Sequence, residues 1–351
     1  MRLPLISYTG GICGQLPLER RQIMNETNSR RCFLRLLATF LGSAAVAPAR
    51  AFDYPSKPIK IIVAAVAGSP SDIPARIAAQ MLTSRLRQPV VIENRPGAGG
   101  ALGARIAAAS APDGYTLLIG NSSNLAAIPA VSDSAGYDPV ADFAPIVRIM
   151  EGYQLLVVHP GSPWRTVRDF IADAKARPGA INYGHTGPGG LPHLAAELFM
   201  LRSGVKLTGV SYRGGGESAN AILANSIQAT FENISVLRGL VDDGKLRALA
   251  VMHKSRSALL PSVPTMAEEA LAECEANTFF GLVAPRGTPA EVVHELNKAI
   301  NEELSTPGMQ AAIKGLGSEV MQNSPAEFAA YIIAQNKRWV EVGKAAGVRV
   351  N

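Results

Sequence analysis

The feature that most restricts this chain is an alternation of short β-branched runs with helically spaced ones. Ile59-Lys60-Ile61-Ile62-Val63-Ala64 is apolar and β-branched, as in a strand covered on both faces. From Ser71 to Leu86 the apolar residues Ile73, Ile77, Met81 and Leu82 recur at helical spacing. Val90 to Glu93 reads as the next strand, Ala101 to Ala109 as a helix after a Gly-rich turn, and Tyr115 to Ile119 as a third strand. This βαβαβ rhythm predicts a parallel sheet with helices on its faces.

The rhythm returns further on. Leu155–Val158, Ile181–Tyr183, Val210–Tyr212, Ile227–Phe231, Leu246–Met252 and Thr278–Val283 read as strands. Thr166–Ala176, Pro192–Leu201, Ala290–Leu304, Met309–Leu316 and Ala326–Ala346 read as helices. No repeat of fixed period is present. A single α/β sheet over this length would be unusually large, so two lobes are expected. Breaks near Gly152 and Ala276 divide the chain into a first lobe (52–152), a second lobe (153–276) and a return to the first (277–351).

Residues 1–51 read as an export signal with an upstream extension. Arg30-Arg31-Cys32-Phe33-Leu34-Arg35 is similar to a twin-arginine signal. The apolar run from Leu36 to Ala47 is too short for the ~20 residues that span a bilayer. Ala49-Arg50-Ala51 offers small residues to a signal peptidase, so cleavage after Ala51 is expected, with periplasmic localisation. The general secretory route remains an alternative, and Met24 is a natural start beside Met1.

The formal charge of +6 invites a nucleic-acid reading, but the leader accounts for most of it. Removing its seven basic and two acidic residues from the totals of 34 and 28 leaves 27 and 26. No nucleic-acid partner is expected of a chain so balanced. Of the three cysteines only Cys274 lies beyond the leader, so no internal disulfide is available, and an inert buried thiol is the expectation.

Several stretches add up to a family. Tyr54-Pro55-Ser56-Lys57-Pro58-Ile59, Glu93-Asn94-Arg95-Pro96-Gly97-Ala98-Gly99-Gly100 and Ala111-Pro112-Asp113-Gly114-Tyr115 come in order. Tyr212-Arg213-Gly214, Gly244 to Val251 and Pro261-Ser262-Val263-Pro264-Thr265 follow. Together they resemble the Bug family, the TctC-like solute-binding proteins of tripartite tricarboxylate transporters. The resemblance implies a type II-like periplasmic-binding-protein fold, with two α/β lobes, a hinge and an interlobe cleft. It implies a small organic acid as ligand, the membrane subunits of a tripartite transporter as partners, and bridging waters around a carboxylate.

Four loops have the character such a ligand needs, because helix N-termini offer unpaired N–H groups and partial positive charge. In the first, Gly68 permits close backbone approach, Ser69 and Ser71 supply hydroxyls, and Asp72 is a cap or a supporting group, since it would repel an anion. The second supplies Asn121, Ser122 and Ser123. The third supplies His185, Thr186 and Gly187, with His193 nearby; its histidines are ligand contacts or packed side chains rather than metal ligands. The fourth supplies Tyr212, Arg213 and Gly214, with Arg213 either closing on the ligand or solvated. Glu232 and Asn233 stand where the family has Asp-Asn. The first loop lacks the family's aromatic and paired prolines, and Gly215-Gly216-Glu217-Ser218 replaces a small-Pro-Ala stretch, which puts any relative's ligand in doubt here.

The expectation is a monomeric binding protein without metal or cofactor. No nucleophile elbow and no His-Glu-x-x-His motif is present, and the pair His193 and Glu197 is explained by packing. The alternatives are an accessory protein that senses a ligand for a membrane receptor, and a periplasmic enzyme acting on a small acid.

Overall fold

The computed structural model describes residues 54–350. The leader, its arginine pair and the expected cleavage point lie outside the described residues.

The first sheet is built on β1 (Ile59–Val63), flanked in parallel by β2 (Val90–Asn94) and β3 (Thr116–Asn121). Every residue of β1 is buried except Lys60, whose ammonium meets Glu93 on β2 at 2.7 Å. Helices α1 (Asp72–Leu86) and α2 (Ala101–Ala108) form the crossovers. Beyond β3 comes a wide turn over Ser123–Ala127, which runs into the short α3 (Ile128–Val131).

Two long strands then join the lobes. β4 (Phe143–Val158) is 16 residues long, and β9 (Asn277–Pro285) lies antiparallel to both β3 and β4. The first part of β4 belongs to the first sheet, and its last five residues pair with a second. The sheet is therefore mixed, where the alternation alone predicted a parallel one. The expected strand Leu155–Val158 is only the end of β4. The earlier part is hidden in the sequence by Pro145, Arg148, Glu151 and Gly152. Register shifts accommodate Pro145 and Arg148, as proline in a sheet requires. Arg148 and Glu151 satisfy each other at 2.9 Å, with the Arg148 guanidinium stacked 3.8 Å from the Tyr331 ring centroid.

The second sheet holds β5 (Asn182–His185) between β6 (Thr208–Ser211) and β7 (Ala229–Asn233), all parallel. β7 and β8 (Arg247–Val251) both pair with the end of β4. Its helices are α4 (Val167–Ala176), α5 (Leu191–Ser203), α6 (Gly215–Leu223) and α7 (Ile234–Asp242). The last two lie in stretches for which the sequence pattern named no helix.

The chain closes with α8 (Ala290–Leu304), α9 (Pro307–Gly315), β10 (Ser318–Val320) and α10 (Pro325–Ala346). β10 pairs with β4 beside Gly152. Helix α10 packs against α3 and α5, so it touches elements attached to both sheets. Its Phe328, Ile332 and Trp339 join the largest core cluster, which also holds Phe170, Phe199 and Phe231 of the second sheet's surroundings. Two further clusters fill the α1–α8 side of the first sheet and the α6–α7 side of the second. Cys274 is buried in the largest cluster, and burial pushes its thiol up to about 12. No helix among the described residues is long and apolar enough to cross a membrane.

Candidate functional site

In the first lobe the chain leaves β1 and turns into α1 through residues 64–71. Asp72 lies beneath this turn. Its carboxylate accepts hydrogen bonds from the Gly68 amide (3.0 Å), Arg76 Nε (2.8 Å) and Asn94 Nδ2 (3.0 Å). Burial alone would raise this carboxyl; Arg76, Gly68 and Asn94 together hold it below the ordinary aspartate range. Gly68 was expected to permit close approach. A Cβ there would meet nothing within 4 Å, so its role is the positive φ of 75° that the turn demands. Ser69 Oγ is buried with no partner.

The turn after β3 is organised by Asn121. Its Nδ2 donates to Ser71 Oγ (2.8 Å), and its Oδ1 accepts the amides of Ser123 and Asn124 (both 2.9 Å). Ser122 points inward, donating to the Asn277 carbonyl (2.9 Å) and accepting the Phe279 amide (2.8 Å). It fastens β3 to β9.

In the second lobe two histidines shape the turn before α5. His185 Nδ1 accepts the Gly187 amide (3.1 Å), and His193 Nδ1 accepts the Gly189 amide (3.2 Å). Their rings lie 4.8 Å apart, and His193 Nε2 is 3.5 Å from Glu197. Burial lowers both imidazoles, His193 to about 4, so near pH 7 they are neutral acceptors. Burial also raises the Glu197 carboxyl.

At the start of α6 the Arg213 amide donates to Glu217 Oε2 (3.0 Å). At the end of β7, Asn233 caps α7: its Oδ1 accepts the Ser235 amide (2.9 Å) and hydroxyl (2.7 Å). Asn233 Nδ2 is buried without a partner. Glu232 Oε1 accepts the Asn233 amide (2.7 Å), while Oε2 is buried and unpaired. Desolvation pushes Glu232 up to about 7, against the pull of the Asn233 amide.

These turns enclose one hollow of about 1420 Å³. The starts of α1, α2, α5, α6 and α7 all open on it, as does the turn at Ser123. Ser123 also reaches across: its Oγ accepts the Leu191 amide at 3.0 Å, joining the turn after β3 to the first residue of α5. Four of the candidate residues stand outside the wall: Ser122, the two histidines His185 and His193, which take the packed alternative, and Asp72, which was expected to be a cap or a supporting group. Each is turned inward to hold a loop that does form the wall. The other expected residues, from Gly68, Ser69, Ser71, Asn121 and Ser123 to Thr186, Gly187, Tyr212, Arg213, Gly214, Glu232 and Asn233, line it.

Sequence reasoning missed three contributions. The turn Pro96–Ala101 forms part of the wall, and so does Arg105 of α2. Gln154 and Thr278 lie where β4 and β9 pass between the sheets, with Thr278 Oγ1 donating to Gln154 Oε1 at 3.1 Å. A smaller hollow of about 690 Å³ lies by Tyr153, Lys314 and Glu319, at the C-terminal end of α9, where helix carbonyls rather than amides are exposed.

The wall of the large hollow thus brings together hydroxyls, amides and two arginines, beside apolar residues and the carboxyl groups of Glu217 and Glu232. Among the described residues no group of His, Cys, Asp and Glu is arranged to hold a metal. The arrangement suits an anion held by amides, hydroxyls and the guanidinium groups of Arg105 and Arg213.

Residues 74–348 match the model of the tripartite tricarboxylate transporter family receptor. The BugT protein of Bordetella pertussis (strain Tohama I) is 34% identical over 319 residues, covering 90% of this chain and 98% of its own. An R. palustris protein solved with adipate superposes with a TM-score of 0.81 at 32% identity, over 85% of this chain and 99% of that one. The MatC protein of Rhodopseudomonas palustris, with bound malate, gives 0.78 at 29% identity, over 82% and 99%.

Proposed function

The chain belongs to the tripartite tricarboxylate transporter family of receptors, and from that premise we propose that it captures a small dicarboxylic acid between its lobes. It then presents the acid, unchanged, to the membrane subunits of such a transporter. The observation that carries this reading is the convergence of helix starts from both lobes on one hollow. Related proteins solved with adipate and with malate support the ligand class.

The magnitudes are consistent. A hydrogen bond to a charged group contributes roughly 1.5–3 kcal/mol net. Micromolar affinity needs about 8 kcal/mol. Association costs at least ~4 kcal/mol beforehand. Four to six donors shared between the lobes meet this requirement. Ser69, Ser71, Asn121 and Ser123 supply them from the first lobe, and Thr186, Arg213 and the amides at Gly214–Gly216 from the second. The hollow is larger than a small diacid, which leaves room for bridging water.

The lobes move about the two crossings of β4 and β9, with boundaries near Gly152 and Ala276. Because the donors come from both sides, a bound acid favours the closed form. The protein works as an exported monomer, released by cleavage after Ala51.

The test is a thermal-shift and calorimetric screen of malate, adipate and other small dicarboxylates on the chain from Phe52 onward. At least one acid is expected to raise the melting temperature and to bind at micromolar concentration or below. If no carboxylate does either, the proposal is wrong.

A further inference from the structure

Glu232 is a carboxyl group placed in the wall of the large hollow, and it is 4% exposed. One oxygen is fixed by its neighbour's amide, and the other has no partner. The carboxyl lies against the first turn of α6. A Cβ on Gly215 would sit 2.5 Å from Oε2, so only glycine there leaves room for it.

Among the described residues no cation lies within ion-pair distance of this carboxyl. On α6 and its leading turn, Arg213 and Glu217 are joined through the Arg213 amide. On β5 and β6 the titratable neighbours are Tyr183, His185 and Tyr212, and His185 is neutral with its Nδ1 already accepting. On β4, Tyr153 donates to Glu319 (2.7 Å) and stacks on His253, which follows β8. On α7, Arg238 is paired with Asp242. Among the described residues none forms an ion pair with Glu232. An ionised carboxylate with an unpaired buried oxygen is costly, whereas the neutral acid holds a proton that it can donate.

Building on the carboxylate reading above, we propose that Glu232 is a specificity-determining residue: a carboxylic acid whose Oε2–H is donated to a carboxylate oxygen of the captured acid, so that capture takes up a proton. The proton comes from solvent whenever Glu232 is ionised in the free protein, and no other bond changes. A bound anion beside it strengthens its hold on that proton. In its acid form the same donor disfavours a ligand that places an ammonium at this point, so the preference for diacids over amino acids holds below about pH 7 and fades as Glu232 ionises.

Glu232 is raised to about 7 in the free protein, so the competent acid form prevails below that pH and is lost above it. Malate and adipate serve as probes, by calorimetry between about pH 6.5 and 8.5, above the range where their own carboxyls titrate. Affinity is expected to fall by roughly tenfold or more across that range. Titrations near pH 7 in two buffers of different ionisation enthalpy should show fractional proton uptake. Glu232→Gln puts a permanent N–H at the position of Oε2, and should bind with a flat pH profile and no proton uptake.

An acid that binds the wild type with flat affinity and buffer-independent heat overturns the inference and leaves the proposed function standing. So does a Glu232→Gln variant with the wild-type slope. If no carboxylate binds, both readings fall. Should the variant not fold, the wild-type profile and the two-buffer heats still decide.

Discussion

Helices that begin at the hollow and helices that begin elsewhere finish their first turns differently. α4 starts behind Thr166 and α10 behind Ser324, each with a reciprocal capping box, and α9 starts behind Thr306, whose side chain accepts from Met309. At the hollow, α1, α2, α5 and α6 start behind Ser71, Gly100, Gly190 and Gly214, and none has a side-chain cap bond. Two helices depart from the division. α7 is capped by Asn233, and α8 is uncapped behind Pro289. A cap contributes about 1 kcal/mol of stability. Leaving it out frees only part of each first turn, since the Asp72 amide bonds to Ser69, the Ala101 and Leu102 amides bond back to Ala98 and Gly97, and the Leu191 amide is held by Ser123. The lesson is that the binding surface consists in part of stabilisation withheld from the fold.

Withheld caps leave the turns to be fixed from behind, and Asp72 is the clearest such support. Asp72→Ala leaves the Gly68 amide, Arg76 and Asn94 without their acceptor. We expect a loss of about 3 kcal/mol in unfolding free energy, because hydrogen bonds to a charged group are the strong ones, together with a large loss of ligand affinity. Because the carboxyl is held below its ordinary range, its contribution is present above that range and disappears as pH falls from there through the lowered value of the folded protein. Denaturant titration at neutral and acidic pH measures both effects. A variant as stable as the wild type at pH 7 removes Asp72 from this role.

The sharpest intervention is to add a cap where one is missing. Gly214 has an extended backbone, with φ of −173°, and a Cβ there meets nothing within 4 Å. Gly214→Asp should therefore stabilise the free protein by up to ~1 kcal/mol. It should also weaken binding of a dicarboxylate by roughly tenfold, through lost amides and like charge. Gly214→Ser separates the two causes, since it caps without charge. If Gly214→Asp binds as well as the wild type, the first turn of α6 does not hold the ligand, and the comparison breaks at that helix.

How much of this could be read beforehand depends on whether the cause is local. The β-branched run at Ile59–Val63 and the helical spacing after Ser71 are local, and both elements formed as expected. β4 was mostly illegible, because the reasons that Arg148 and Glu151 can sit in a strand lie in Tyr331, far along the chain. Loops rich in glycine, serine and asparagine were legible as places where amides gather. Side-chain direction was not: Ser122 and Ser123 are adjacent and look alike, yet one bonds inward to β9 and the other faces the hollow. Gln154 and Thr278 gain their place only from two sheets standing side by side, which no window of sequence contains.

Smaller effects test whether the two sets of helix starts are truly independent. Ser123→Ala removes the acceptor of the Leu191 amide, a bond that joins the turn after β3 to the start of α5. We expect affinity to fall about fivefold, near 1 kcal/mol, because closure loses one hydrogen bond. Ser324→Ala is the counterpart at the remote end. It deletes the oxygen that accepts a first-turn amide of α10 and should lower stability by ~1 kcal/mol, with no change in affinity, since Ser324 is absent from the wall of the hollow. Helix α10 touches elements of both lobes, so a looser start has one route to the ligand, through α5. If calorimetry on Ser324→Ala shows weaker binding at unchanged stability, that route is open. Capping at the far ends would then be part of how the lobes close rather than a separate reserve of stability.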